Sequence, residues 1–149
     1  MIKPDEKTPA WKGSVPKDVL DTQERLLLGG GEGKVLRYGG AWWVLGTMRV
    51  EGCSQVFSHD VTRSVLHLER ISTPQAERGR GLATQMFARI FAAADDLGAV
   101  IRTNGLTQDP KGFPQDALIA WYGRIGLSIV HRPKRGAVML ERKPAKMAA

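Results

Sequence analysis

The sequence has little cysteine and no long apolar segment. Its single cysteine, Cys53, excludes an internal disulfide framework and a zinc site built from cysteines. No apolar run approaches the roughly 18 residues that a membrane-spanning helix needs. The first 30 residues contain charges and prolines where a secretory signal requires an apolar block. We therefore expect a cytoplasmic protein without a membrane partner.

The chain has 149 residues, which is enough for one hydrophobic core and too few for two. Its content of 42% hydrophobic and 25% charged residues lies in the range of globular proteins and excludes wholesale disorder. We predict a single domain over residues 1–149, with an irregular arm at 1–17 and a basic tail at 143–149.

Acidic residues are scarce at the C-terminal end. The net charge is +7, and the last 18 residues hold six basic side chains against Glu141 alone. Such an edge favours polyanions, either nucleic acid or a phosphorylated cofactor. A solvated, solubilising tail is the alternative explanation.

Hydrophobic periodicity and glycine positions predict the elements. The first half has a short helix, a glycine loop at Gly29–Gly33 and an antiparallel meander. The second half reads β-loop-α-β-α-β-β, and strict alternation in its first strand places His67, Glu69 and Ile71 on one face. The predicted helices are Asp18–Leu28, Leu82–Leu97 and Pro114–Ile125. The predicted strands are Lys34–Tyr38, Trp42–Val50, Ser54–Phe57, Ser64–Ile71, Ala99–Thr103, Leu127–His131 and Ala137–Arg142.

The turn between Ser64–Ile71 and the helix Leu82–Leu97 has the composition of an anion-binding loop. Gly79 and Gly81 let the backbone approach a ligand closely, and the first turn of a helix offers unpaired N–H groups at its positive end. Arg78 and Arg80 add positive charge. A diphosphate is the natural occupant, whereas a tight connection without a ligand is the structural alternative.

These residues resemble the signature of the GCN5-related N-acetyltransferase superfamily. The segment Arg78-Gly79-Arg80-Gly81-Leu82-Ala83 matches the family's loop, and Trp121-Tyr122-Gly123-Arg124-Ile125-Gly126-Leu127 is similar to its helix-ending motif, with Leu127 in place of phenylalanine. The resemblance covers the second half of the chain well. It implies an α/β (α+β) single domain with a mixed sheet of about six or seven strands flanked by helices.

The resemblance also implies an acyl-CoA co-substrate, in most members acetyl-CoA, and a set of binding residues. The backbone of Arg78, Gly79, Arg80, Gly81, Leu82 and Ala83 would bind its pyrophosphate. Ile71, at the splayed end of its strand, would line the pantetheine arm. Gln115 stands where the family often has an asparagine that reaches the cofactor, and Asn104 competes for that role.

The same resemblance assigns Tyr122 as the general acid that protonates the departing thiolate. A ring that only packs on the sheet is the structural alternative. Glu69 is the first choice for the base that deprotonates the amine, His67 is the second, and a water path is the third. Cys53 has no motif support as a nucleophile. His59, Asp60 and His131 are too scattered for a metal site.

The acceptor is less determined, because acceptor pockets come from variable loops. The implied reaction acylates a primary amine. Basic residues at the C-terminal edge, with Arg63, Arg102 and Arg124, favour a nucleic-acid-linked amine such as aminoacyl-tRNA or a modified DNA base. Small-molecule or protein amines, a non-catalytic binding module, and a homodimer remain open. Of Trp42 and Trp43, one should face the core and the other a substrate or partner.

Overall fold

The computed structural model describes residues 15–27, 30–73, 81–104, 115–133 and 138–145. Within these ranges the chain forms three helices and seven strands. The helices are α1 (Lys17–Leu27), α2 (Leu82–Leu97) and α3 (Gln115–Ile125). The strands are β1 (Glu32–Tyr38), β2 (Ala41–Val50), β3 (Cys53–Asp60), β4 (Val65–Ser72), β5 (Val100–Asn104), β6 (Ser128–His131) and β7 (Met139–Arg142).

The strands form one mixed sheet in the order β1-β2-β3-β4-β5-β7-β6. Strands β1 to β4 are an antiparallel meander, as the glycine-rich turns predict. Strands β4 and β5 are parallel and are joined through α2. The predicted fold class is therefore confirmed. The bounds of α2 match the prediction, while β3 extends three residues further, to Asp60.

Helices α1 and α2 pack on the same face of the sheet and on each other. This helix face carries buried residues from neighbouring strands, among them Val44, Leu66 and Ile101, and α2 contributes Phe87 and Ile90 to the same core. Burying such side chains removes apolar surface from water, at about 25 cal/mol per Å². The central strands and α2 are thus fixed against one another by the main hydrophobic core.

The predicted loop at Gly29–Gly33 is partly wrong, because Glu32 and Gly33 belong to β1. Gly33 lies directly opposite Gly46 of β2. A Cβ atom on Gly33 would come within 2.5 Å of the Leu45 carbonyl oxygen, and one on Gly46 within 2.5 Å of the Glu32 carbonyl oxygen. Glycine at this pair permits close approach of two strands rather than a turn.

The expected alternation in β4 is also corrected by the structure. The β3–β4 register shifts between Val56 and Phe57, so that Leu68 lies opposite Phe57 while Arg70 lies opposite Val56. Glu69 is the extra residue of this β-bulge. Beyond it Ile71 lies opposite the buried Gln55 and packs against the core. Ile71 therefore does not share a face with His67, contrary to the prediction.

The adjacent tryptophans follow the predicted opposite orientations. Trp42 packs against the main core, and the Arg37 guanidinium lies 5.2 Å from the centre of its ring. Trp43 stacks on His67 at 6.2 Å between ring centres. Trp43 thus belongs to the sheet face away from α1 and α2.

None of the helices in the described ranges is both long and apolar enough to cross a membrane.

His59 is a buried titratable group within the core. It is 2% exposed and lies between Val44 and Leu66 in the strand register. Burial lowers the pKa of His59 to about 4. A hydrogen bond with the Val65 backbone and the charge of Asp60 raise the pKa, but by less than burial lowers it. Its Nδ1 atom is buried without a hydrogen-bond partner among the described residues. The folded state therefore holds His59 neutral.

We predict that His59 makes the fold sensitive to acid. The unfolded chain takes up a proton at this histidine near pH 6.5, whereas the folded chain does so only near pH 4. The contribution of His59 to stability is complete above the pKa of the unfolded chain, 6.5, and is lost as the pH falls toward the pKa of the folded chain, about 4. Between about pH 7 and pH 5 the free energy of unfolding should fall by about 2 kcal/mol from His59 alone.

Urea unfolding of the wild type and of His59→Leu at both pH values measures this effect. The variant should be less stable near pH 7 and should lose less stability on acidification. His131→Gln, which changes an exposed histidine, is the matched control and should keep the wild-type pH dependence. If the His59→Leu variant and the wild type lose the same free energy of unfolding between the two pH values, His59 is not the source of the acid sensitivity.

Candidate active site

The sheet opens between its two parallel strands. The β4–β5 pairing joins Val65 to Val100, Leu66 to Ile101 and His67 to Arg102, and ends there. Strand β4 nevertheless continues to Ser72, and β5 continues to Asn104. The two strands therefore diverge at their carboxyl ends, with the bulge at Glu69 just beyond the last pair. We call this space the β4–β5 opening.

Helix α2 starts at the same end of the sheet. It connects two parallel strands, so it runs back across the sheet and its N-terminus lies beside the carboxyl end of β4. Gly81 precedes the helix in the left-handed conformation, at φ 74° and ψ 18°, which glycine adopts at little cost. Buried Leu82 fixes the first turn, and Ala83 is half-buried.

The first turn of α2 suits an anion. It contains no acidic residue, and no side chain caps its N-terminus. The first N–H groups of a helix have no intrahelical acceptors and carry the positive end of the helix dipole. A Cβ atom at Gly81 would meet no atom of the described residues within 4 Å. Arg78, Gly79 and Arg80 lie outside the described residues.

Tyr122 lies in the last part of α3 with its ring buried. It is 5% exposed, and its ring centre lies 5.7 Å from Phe87 and 5.4 Å from Trp121. Burial raises the pKa of Tyr122, and the hydroxyl of Thr103 in β5 lowers it in part. The phenol is therefore protonated at neutral pH.

The motif that contains Tyr122 has a physical role at the end of α3. Gly126 adopts φ 120°, a conformation that favours glycine, and the chain reverses there. The backbone N–H of Leu127 donates to the Tyr122 carbonyl oxygen at 2.9 Å, and the N–H of Gly126 donates to it at 3.2 Å. Leu127 is then buried in the main core. This helix end fixes the backbone of Tyr122.

Thr103 lies at the β4–β5 opening. Its hydroxyl donates to the Leu68 carbonyl oxygen at 3.2 Å, just beyond the last pair of the two strands. Thr103 is 8% exposed and belongs to the helix face. Thr103 was not predicted from the sequence as a site residue. The available signal was a hydroxyl side chain at a core-facing position of a short buried strand, two residues after Ile101.

A polar cluster lies on the opposite face of the same opening. The strand register aligns Leu45, Ser58, His67 and Arg102 across this face. The Ser58 hydroxyl donates to Glu69, a contact that the sequence analysis missed. Burial lowers the pKa of His67, as does the Arg102 charge, while Asp60 and Glu69 raise it. The two candidate bases, Glu69 and His67, are therefore neighbours on this face.

The remaining candidates are less informative. Gln115 is the first residue of α3, and its side chain lies outside the described residues. Asn104 is the last residue of β5 and lies opposite Met139. Cys53 is fully buried and accepts a hydrogen bond from Thr73, and burial raises the pKa of its thiol. No group of three metal-ligating side chains occurs among the described residues.

Three arginines of the predicted basic rim form ion pairs with carboxylates. Arg63 pairs with buried Asp60 at 3.0 Å, and Arg102 pairs with Glu141 at 2.8 Å. Arg142 pairs with Asp95 of α2 at 2.9 Å and lies over the Phe91 ring. These pairs fasten elements together, which reduces the charge available to a polyanion. Arg124 and Arg132 are exposed. Lys134, Arg135 and Lys146 lie outside the described residues.

Comparison with known proteins identifies the fold. No protein-family model matches the sequence, and a search of curated protein sequences found no match. Among solved structures, the anti-CRISPR protein AcrVA5 matches 63% of this chain and 94% of its own, with a TM-score of 0.53 and 16% identity. GCN5 from Tetrahymena matches over 71% of each chain, with a TM-score of 0.53 and 11% identity.

A GNAT-family protein from Desulfovibrio desulfuricans matches over 72% of this chain and 73% of its own, with a TM-score of 0.50 and 14% identity. These matches agree with the seven-stranded mixed sheet and its parallel β4–β5 pair. The chain has the fold of the GCN5-related N-acetyltransferase superfamily.

Proposed function

We propose that the protein is an acetyl-CoA-dependent N-acetyltransferase that acts on a primary amine. The observation that carries the proposal is the β4–β5 opening, with the protonated phenol of Tyr122 buried on α3. The opening gives a long, narrow ligand a path between two strands, and the phenol gives that path a proton donor. The GNAT fold supports the proposal by analogy.

The residues of the opening fit acetyl-CoA in two ways. The first turn of α2, after Gly81, has N–H groups without intrahelical acceptors and no acidic residue of its own, which suits a diphosphate. Beyond His67, β4 has lost its β5 partner, so backbone groups between Leu68 and Ser72 can bond the amides of the pantetheine arm. Acetyl-CoA, when bound, would supply the acetyl group as a thioester.

The cofactor-binding residues follow from this placement. Gly81, Leu82 and Ala83 would hold the pyrophosphate through their backbone, together with Arg78, Gly79 and Arg80 of the preceding segment. Ile71 would line the arm from the core side of β4. Gln115 at the start of α3 remains a weaker candidate.

Tyr122 and Glu69 would divide the proton transfers between the two sides of the sheet. Tyr122 lies buried on α3, and its protonated phenol is the state that a general acid requires. Glu69 lies on the opposite face, where an amine could approach, and would accept the amine's proton. His67 is the alternative base, because its lowered pKa keeps it neutral.

The acceptor is proposed only as a primary amine. The protein's net charge of +7 favours a nucleic-acid-linked amine, such as aminoacyl-tRNA or a modified DNA base. The ion pairs of Arg63, Arg102 and Arg142 remove part of that support. Incubation with labelled acetyl-CoA and separate pools of tRNA, DNA, protein and small amines distinguishes the acceptor classes.

Acetyl-CoA binding is the first test of the proposal. A ligand that binds only the folded state raises the melting temperature, so millimolar acetyl-CoA should stabilise the protein measurably. Inorganic pyrophosphate at the same concentration controls for general attraction of anions to a basic protein. Stabilisation by neither compound, or equal stabilisation by both, would leave only a non-catalytic or polyanion-binding function.

Gly81→Asp should weaken acetyl-CoA binding by charge, and Gly81→Asn is its matched control. Both side chains tolerate the left-handed conformation better than most residues and have similar size. The carboxylate would repel the diphosphate, so the Asp variant should bind at least about tenfold more weakly than the Asn variant in calorimetry. Its melting temperature without ligand should not fall below that of Gly81→Asn, because an acid at a helix N-terminus stabilises the helix. Equal affinities would show that the diphosphate binds elsewhere.

Tyr122→Phe tests the general acid. The change keeps the ring contacts with Phe87 and Trp121 and removes only the hydroxyl. We expect acetyl-CoA affinity to persist while turnover falls by roughly 10²–10⁴-fold, the usual range for the loss of a positioned acid. Tyr38→Phe, at an exposed tyrosine, should keep full turnover. A Tyr122→Phe enzyme at full rate, with about 1 kcal/mol lower stability, would show that the tyrosine is only a core residue.

A further inference from the structure

The side chain of Ser58 binds the carboxylate of Glu69, the first candidate for the base. Ser58 lies half-buried on β3, opposite His67 of β4, and its hydroxyl oxygen is 2.5 Å from Oε2 of Glu69. An ionised carboxylate only accepts hydrogen bonds, so the hydroxyl is the donor. A hydrogen bond from a hydroxyl to a charged oxygen is short and is stronger than one between neutral groups. Ser58 therefore connects β3 to the candidate base.

The β-bulge explains why Glu69 needs such a partner. As the extra residue of β4, Glu69 has no residue of its own opposite it on β3, and its side chain is exposed. A glutamate side chain has several rotatable bonds, so an unrestrained carboxylate at this position would sample many orientations. The bond with Ser58 selects those in which the carboxylate lies on the sheet face away from the helices, just beyond the last β4–β5 pair.

The neighbouring cation does not compete with Ser58 for this carboxylate. Arg102 lies opposite His67 across the parallel pair, but it pairs with Glu141 of β7 at 2.8 Å. None of the ion pairs within the described ranges involves Glu69. A salt bridge would orient the carboxylate and neutralise its charge, whereas a hydroxyl orients it and leaves the negative charge in place. A base that must accept a proton needs that charge.

We propose that Ser58 is a positioning residue that holds the Glu69 carboxylate at the β4–β5 opening for deprotonation of the acceptor amine. This inference rests on the proposed function, because it assigns Ser58 a role in the same proton transfer. Ser58 occupies Oε2, and Oε1 accepts the proton of the acceptor's ammonium group. In that step an N–H bond breaks, an O–H bond forms on Oε1, and the electron pair stays on nitrogen, which becomes nucleophilic. Ser58 keeps its own proton throughout.

Turnover tests this role, measured with labelled acetyl-CoA and whichever pool of tRNA, DNA, protein or small amines the wild type acetylates. Ser58→Ala should lower kcat by about three- to tenfold, with KM for acetyl-CoA unchanged, because the carboxylate then spends less time in the productive orientation. Ser58→Thr keeps the hydroxyl and should restore kcat. Ser54→Ala removes a hydroxyl from the same face of β3 and should keep the wild-type rate.

A second comparison separates positioning from support of the fold. Glu69→Gln removes the base, so adding Ser58→Ala to that variant should lower the remaining kcat no further. The same loss in both backgrounds, or full kcat in Ser58→Ala alone, would overturn the proposal. A fully active Glu69→Gln enzyme would also overturn it and move the base to His67, while acetyl transfer itself stands. Failure of the wild type to acetylate any pool would instead refute the proposed function together with this role.

Discussion

The early end of the β4–β5 pairing is the constraint on which the candidate site depends. Two parallel strands paired along their whole length would satisfy each other's backbone hydrogen bonds and leave no space between them. Here the pairing stops at His67 and Arg102, and β4 has an extra residue at Glu69 immediately afterwards. A bulge bends its strand and increases its twist, which carries β4 away from β5. The opening is therefore a consequence of strand geometry rather than of a loop.

The rest of the fold holds that opening in place from both sides. On one side, α2 is buried against the core and is fastened to β7 by the Asp95–Arg142 pair. Hydrogen bonds with the Arg142 side chain and the Ala145 backbone N–H lower the pKa of Asp95. The Asp95 carboxylate therefore stays ionised and paired with Arg142. On the other side, the meander is tied to β4 along most of its length. A rigid frame of this kind allows a site to be positioned by strands and helix ends.

Much of this arrangement could be predicted from local sequence. Glycine dipeptides and hydrophobic periodicity gave the meander and the bounds of α2, because both signals act within a few residues. The αL glycine at the start of α2 and the helix end after Tyr122 are likewise local, and they match the observed φ values of Gly81 and Gly126. Features that join distant segments could not be read in this way.

The bulge at Glu69 is one such feature, since the pattern Leu66, Leu68 and Ile71 is compatible with either an unbroken strand or a shifted register. The ion pairs of the arginines are a similar case. Their charges are visible in the sequence, but their partners Asp60, Asp95 and Glu141 are set only by the tertiary fold. Thr103 gives only a weak local signal, because its bond to the Leu68 carbonyl, 35 positions earlier, forms only in the tertiary fold.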